Sequence, residues 1–340
     1  MELVFFYPDG HESHAFSGHP ERPERVETIR TALQNAGWWE PFARLEAEII
    51  PEHIIAKIHD PAWLHQLETI CREVDYLDIN TYVTPASFDL ALRAAGGTVA
   101  VASAVWRREA KRGFALARPP GHHATRQRGG GFCLLNNIAL AAEVLLQREG
   151  AQRLAIVDLD LHHGNGTQDI FWQRKDVLYI STHQMPLFPG TGWLDETGGG
   201  EGNGATANFP LPPGAGDTAF RTILEALILP LLDRFSPEML LISFGFDTHW
   251  RDPIGSLLLS AGEYGRLITC LVNWADDHCN GRISLVLEGG YDLAAASACA
   301  TAVTASLLGL PWTDPLGKAP YVEDSGWQQM VTRAKRLWGV

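Results

Sequence analysis

The sequence predicts an α/β fold in which a mostly parallel β-sheet is covered by helices on both faces. Three observations predict it. First, short and almost continuously apolar runs recur at Phe114–Ala117, Leu154–Val157, Val177–Ser181, Met239–Ser243 and Ile283–Leu287. Strands buried on both faces read this way, whereas strands with one wet face alternate. Second, longer segments of helical period separate these runs, and such alternation packs as a parallel sheet between helical layers. Third, polar clusters follow four of the runs closely, and in open α/β sheets ligands bind beyond the carboxyl ends of strands.

Taken in chain order, Met1–Asp9 reads as a short strand. Pro23–Ala36 reads as a helix: Pro23 suits the first turn, Val26, Ile29 and Leu33 share a face, and Gly37 stops it. Pro85–Lys111 reads as one long helix that tolerates the Gly96-Gly97 pair. Asn137–Arg148, Thr218–Phe235, Ala261–His278 and Ala294–Leu308 complete the helical set. No linker, repeat or low-complexity tract interrupts residues 1–340, so a single catalytic-sized domain is expected.

Composition narrows the function. Of 340 residues, 46% are hydrophobic, enough for a large core. The first residues carry neither a basic segment nor a long apolar one, so no signal peptide is expected. No uncharged apolar run reaches the ~20 residues of a membrane span; around Ile223–Leu232, Glu225 and Pro230 intervene. A soluble, cytoplasmic protein is expected. The five cysteines (Cys71, Cys133, Cys270, Cys279 and Cys299) are odd in number and lack CxxC spacing, which argues for buried reduced thiols. A net charge of −13 argues against nucleic acid as a partner and suits a cationic substrate.

The strand-end clusters carry chemistry. In Asp158-Leu-Asp160-Leu-His162, period-two alternation sends Asp158, Asp160 and His162 to one side. Asp160 and His162 can then reach one ion, with Asp247, at another strand end, as a third ligand. Two carboxylates and an imidazole with an open position suit catalytic zinc. The competing reading is an ordinary strand end with capping residues. Gly121-His122-His123 supplies two imidazoles, suited to general acid and base work near neutral pH. Each needs an orienting partner, and Asp158 and Asn165 are the candidates. Tyr291, in Glu288-Gly-Gly-Tyr291, could donate to an oxyanion, or simply pack. Gly129-Gly-Gly-Phe132 reads as a loop lining a narrow channel. The glycines match no phosphate-binding pattern.

These motifs together resemble the histone deacetylase superfamily. Arg118-Pro-Pro-Gly-His-His123, Gly131-Phe-Cys-Leu-Leu-Asn-Asn137, Asp158-Leu-Asp-Leu-His-His-Gly-Asn-Gly166, Phe188-Pro-Gly-Thr-Gly192 and Glu288-Gly-Gly-Tyr-Asp292 carry the resemblance, in order, within about Gly18–Leu308. It is closest in flavour to the class II type, with the bacterial histone-deacetylase-like and acetylpolyamine amidohydrolases. The resemblance implies an arginase-like fold with a central, mostly parallel, eight-stranded sheet. It implies zinc on Asp160, His162 and Asp247. It implies His123 as general base and acid, His122 beside it oriented by Asp158, Asn165 as the other orienting group, and Tyr291 on the oxyanion. Gly131, Phe132 and Phe188 would line the substrate channel, and Asp78 would bind a substrate amide or ammonium. Arg25, in His19-Pro-Glu-Arg-Pro-Glu-Arg25, would stand near an acetate-release pocket; its competing reading is an ion pair on a helix surface. Potassium is implied too, at one site by Asp158, Asp160, His162, Ser181 and Thr182, and at a second by carbonyls near Phe171, Arg174 and Val177. Relatives include dimers and tetramers, so the resemblance admits a homo-oligomer.

The implied activity is hydrolysis of an N-acetyl or other acyl amide on a lysine side chain or similar aminoalkyl group, with acetylpolyamines as the alternative substrate. Neither a nucleic acid nor a membrane is an expected partner. A two-manganese ureohydrolase would want Asp two positions after the metal histidine, where this chain has Gly164. A quiet acyl-lysine binding module would be favoured by loss of Tyr291 or of a ligand, and all these positions are intact. Rim selectivity is expected from residues 11–19, 75–84 and 198–204. The histidines His11, His14 and His19 suggest a solvated loop rather than a second metal.

Overall fold

The computed structural model describes residues 1–73 and 75–340. Eight strands form one sheet: β1 (Leu3–Phe6), β2 (Ala43–Arg44), β3 (Arg112–Ala115), β4 (Leu154–Asp158), β5 (Val177–Gln184), β6 (Thr206–Leu211), β7 (Leu240–Phe244) and β8 (Ile283–Leu287). Their order is β2-β1-β3-β8-β7-β4-β5-β6, and every neighbouring pair is parallel. Alternate residues of the inner strands enter opposite cores. Phe5, Phe114, Ala155 and Val157 join one apolar cluster, and Val4, Phe6, Ala115 and Ile156 the other. That double burial is why these strands read as unbroken apolar runs.

The helices are α1 (Glu24–Asn35), α2 (Glu52–Ile58), α3 (Pro61–Glu73), α4 (Ser87–Trp106), α5 (Asn137–Arg148), α6 (Asn165–Phe171), α7 (Asp217–Ile223), α8 (Leu229–Phe235), α9 (Ala261–His278), α10 (Leu293–Leu308) and α11 (Trp327–Trp338). α4 is shorter than the expected Pro85–Lys111. It begins after Pro85, and Arg108, with φ of 62°, ends it in the left-handed region. By length and composition α4 could cross a membrane, but it packs against α5, β1 and β3. Gly97 is required inside it because a Cβ there would collide with the Phe6 ring.

The expected helix Thr218–Phe235 is not uniform. A π-helical turn, Leu224–Ile228, joins α7 to α8, and Pro230 lies just beyond it. Proline cannot donate to the preceding turn, which disturbs the α-helical ladder there. The strand expected at Phe114–Ala117 lies two residues earlier, at Arg112–Ala115, where β1 and β8 pair with it. The chain also forms α2, α3, α6, α11, β2 and β6, which are not among the elements expected from the sequence.

Topology decides where the chemistry converges. The four strands followed by polar clusters are β3, β8, β7 and β4, and these are consecutive in the sheet. All are parallel, so their carboxyl ends open on one edge. All five cysteines are unpaired; four are buried and Cys270 is half-buried.

Candidate active site

Beyond β4 the chain keeps its alternation for two more steps. Leu159 and Leu161 enter the core, while Asp158, Asp160 and His162 turn to the sheet edge. Each carboxylate is fixed by the main chain ahead of it: Asp160 N–H donates to Asp158 Oδ1 (3.1 Å) and His162 N–H to Asp160 Oδ1 (2.8 Å). Asp247, beyond β7, accepts from Leu161 N–H on Oδ1 (3.0 Å), and Asp160 Oδ2 accepts from Gly289 N–H (2.8 Å). Ligand atoms of Asp160, His162 and Asp247 lie within 4.8 Å of one another. His162 Nδ1 stands 3.3 Å from an oxygen of each carboxylate.

This trio fits a cation. Asp247 is wholly buried, and among the described residues its Oδ2 has no aligned hydrogen-bond donor, although His162 Nδ1 stands 3.3 Å away. A buried carboxylate oxygen without a donor is costly unless a cation completes it. Among the described residues, the two other side-chain groupings spaced for a metal suit one less well. In His122–Cys133–Glu288, the glutamate already holds Gly121 N–H and His122 N–H on Oε2 (2.7 and 3.1 Å). In His11–Glu12–Glu27, His11 Nε2 is bonded to the Tyr7 hydroxyl (2.9 Å).

His122 and His123 stand side by side, ring centroids 4.0 Å apart. His122 Nδ1 lies 3.0 Å from Asp158 Oδ2, which also accepts from the Tyr179 hydroxyl (3.1 Å). Burial opposes a charge on His122, but the carboxylates of Asp160 and Asp158 carry its pKa up to about 10. His123 Nδ1 lies 2.8 Å from Asn165 Oδ1. An amide oxygen only accepts, so Nδ1 carries the proton and Nε2 is left free to take one. Burial, then the charges of His122 and His162, hold the His123 pKa well below its ordinary value.

A pocket of about 360 Å³ leads from the surface to this cluster. Gly131, Phe132, Phe188, Tyr291 and Asp78 line it, together with Ile254. Phe188, 53% exposed, stands at the mouth and packs edge-on against His123, with centroids 5.0 Å apart. Phe132 packs edge-on against Tyr291 at 5.7 Å. Gly131 has φ of 54°, and a Cβ there would lie 2.6 Å from His123 Cδ2 and 2.8 Å from Phe188 Cε1. Phe132, at φ of 71°, holds a backbone conformation that costs a side-chain residue on the order of 1 kcal/mol or more. Strain of that kind is kept where it aims a group, here a ring at the channel.

Arg25 is not on the channel wall and not on a helix surface. It is buried behind Tyr291, its guanidinium 4.8 Å from the ring centroid. Nε donates to Gly290 O (2.6 Å), Nη2 to Glu288 O (2.5 Å) and Nη1 to Glu21 Oε1 (3.2 Å). The N-terminal histidines likewise depart from the expected solvated loop. His11 and His14 are buried, and both sit against an Arg118–Glu21 ion pair (2.8 Å). Residues 198–204 form no part of the rim: they precede β6, at the opposite edge of the sheet, and pack on Trp172–Arg174.

Two contributors escaped the sequence reading. Asp252 Oδ2 accepts from Tyr291 N–H (2.6 Å) and Asp292 N–H (3.0 Å), fixing the main chain that carries the tyrosine. Burial, then the Asp247 charge, push the Asp252 carboxyl up to about 7. Glu288 ties the His122 loop to β7, where Ser243 Oγ donates to it (3.1 Å). Both act through backbone N–H groups, which leave no mark in a sequence.

An all-parallel sheet with an aspartate–histidine–aspartate trio at its carboxyl edge defines an arginase-like α/β protein with a candidate metal centre. The histone deacetylase domain model matches residues 19–307, and the chain belongs to that family. It is 42% identical over 280 residues to a probable deacetylase of Archaeoglobus fulgidus, covering 82% of this chain and 78% of that one. It is 34% identical over 301 residues to a histone deacetylase-like amidohydrolase of Pseudomonas aeruginosa, covering 87% and 78%. The crystal structure of the HDA15 HD domain superposes with a TM-score of 0.90 at 34% identity, covering 99% of this chain and 94% of that one.

Proposed function

We propose that this chain is a zinc-dependent deacetylase that hydrolyses the N-acetyl or related acyl amide of a lysine side chain or similar aminoalkyl group. The observation that carries the reading is that one apolar-walled pocket is lined by Asp160 and His162 of the trio, by the Asn165-oriented His123 and by Tyr291. A zinc ion held by Asp160, His162 and Asp247 would polarise the acyl carbonyl and lower the pKa of water towards neutrality.

The remaining work falls to the chain's own groups. Phe132, Phe188 and Gly131 hold the aliphatic arm, each buried CH₂ contributing ~0.8 kcal/mol. His123 Nε2 takes the proton of the attacking water. The Tyr291 hydroxyl donates to the carbonyl oxygen as negative charge gathers on it. His123 then hands its proton to the leaving amine, releasing acetate and the free amine. His122, paired with Asp158, holds a positive charge beside the reacting centre. Arg25 fixes the Glu288–Tyr291 turn from behind. Potassium belongs to the same reading. Asp158 lies opposite Ser181 in the β4–β5 ladder, with Thr182 next, which supports a first site with Asp160 and His162. A second would draw on Phe171, Arg174 and Val177, in the turn between α6 and β5. The protein is taken to work in the cytoplasm, alone or as a homo-oligomer.

A two-metal ureohydrolase has no support at Gly164, where an added Cβ would collide with Asp158 Oδ2 and lie 2.6 Å from the Tyr179 hydroxyl. The test is steady-state turnover of the zinc-loaded protein on an acetyl-lysine peptide and on N-acetylputrescine, with His123→Ala and Tyr291→Phe alongside. Loss of about 10²-fold or more in kcat is expected for each variant. Full activity in either would overturn that residue's role.

A further inference from the structure

Beside the channel lies a second cavity, of about 500 Å³. It shares Asp78, His123 and Phe188 with the channel and adds Asn165. Trp63 and the loop at Gln127–Gly130 form its outer walls. The hydrolytic reading leaves those outer walls unused. Two charges of opposite sign stand in it. Asp78 is fixed at the mouth by accepting from Asn80 N–H (2.9 Å) and Thr81 N–H (2.7 Å) on Oδ1. Arg128 is exposed and lines the same cavity. Its neighbour Arg126 is tied to the Lys57 carbonyl. The Arg128 main chain is nonetheless held, its carbonyl accepting from Thr125 N–H (2.9 Å).

We propose that this mouth selects an acyl-lysine whose α-carboxylate is free: Nε-acyl-lysine itself, or acyl-lysine at the C-terminus of a peptide. The proposal rests on the hydrolytic reading above for the arm that enters the channel. The carboxylate meets Arg128 and the α-nitrogen faces Asp78, so a zwitterionic end matches both charges at once. An acyl-lysine inside a peptide offers Arg128 no charge. A polyamine's second ammonium meets a like charge there.

The test is isothermal titration calorimetry on zinc-loaded His123→Ala protein, with and without Arg128→Gln. The probes are Nε-acetyl-lysine, its C-terminal amide and N-acetylputrescine. The acid is expected to bind about fivefold tighter than the amide, the upper range for an exposed ion pair. Arg128→Gln should abolish that difference and leave the amide's affinity unchanged. In the otherwise unaltered enzyme the same preference should appear in KM and not in kcat. Equal binding of acid and amide, or equal weakening of both by Arg128→Gln, overturns the proposal. Preference in binding without turnover by the unaltered enzyme would sink the hydrolytic reading alone. Turnover without preference would sink this inference alone. No binding of any probe overturns both.

Discussion

The neutral amide of Asn165 beside His123 decides which ring nitrogen is free. Because the His123 pKa is held well below 6.5, the ring stays unprotonated into mildly acid solution. As a base it fails only when pH falls through that lowered value, so the acid limb of kcat/KM should lie below pH 6.5; a limb above it would contradict the assignment. Asp252 acts on Tyr291 only through N–H groups. Asp252→Ala should therefore lower kcat while zinc content, read by metal analysis, stays unchanged. Glu21 is a different case. Burial opposes its charge, but Arg118, His14 and Arg25 hold its pKa down to about 2 from 4.5. A depressed carboxylate gives stability that is complete above about pH 4.5 and lost as pH falls through about 2. Glu21→Gln leaves buried arginines without their partner and should cost about 3–5 kcal/mol at neutral pH. In urea unfolding, the gap between variant and parent should narrow as pH drops below 4.5.

Among the elements, the helices with caps and clear periods were legible and the short ones were not. α5 and α9 match their expected bounds because Asn136 and Ser260 accept the N–H of Ala139 and Glu263 (3.0 and 3.1 Å). α2 and α6, seven residues each, are too short to show a period. The expected helix runs past the C-terminal end of α4 because nothing local marks Arg108 as a left-handed stop. Gly97 lets α4 close on β1, so Gly97→Ala should destabilise by about 1–3 kcal/mol, seen as a lower denaturant midpoint. Kinetics of the folded fraction should not change, since the contact is with Phe6. An unchanged midpoint would mean that the helix can slide away from the sheet at no cost.

For the whole molecule, the metal test is one of stoichiometry. Three convergent ligands and a filled position at Gly164 predict one zinc per chain in the catalytic pocket. Zinc binding the folded chain alone should raise its thermal midpoint, with ~2.7 kcal/mol of stabilisation at a hundredfold excess over Kd. Chelation should abolish turnover and reverse that rise. Two catalytic ions per chain, or a midpoint indifferent to zinc, would count against the site.

The sequence by itself determined the fold class and picked out the four polar strand ends, the trio, the histidine pair and the tyrosine that the structure brings together. It could do so because burial on both faces writes itself as apolar runs, and because side-chain alternation past β4 follows from backbone geometry. Only the tertiary structure decided that those strands are neighbours in the order β3-β8-β7-β4. It alone placed Arg25 behind Tyr291, buried His11 and His14, removed residues 198–204 from the rim and set Arg128 and Asp78 on one cavity. Those outcomes depend on which distant segments meet and on bonds to main-chain N–H and C=O groups. Every residue carries those groups, so no residue type announces them.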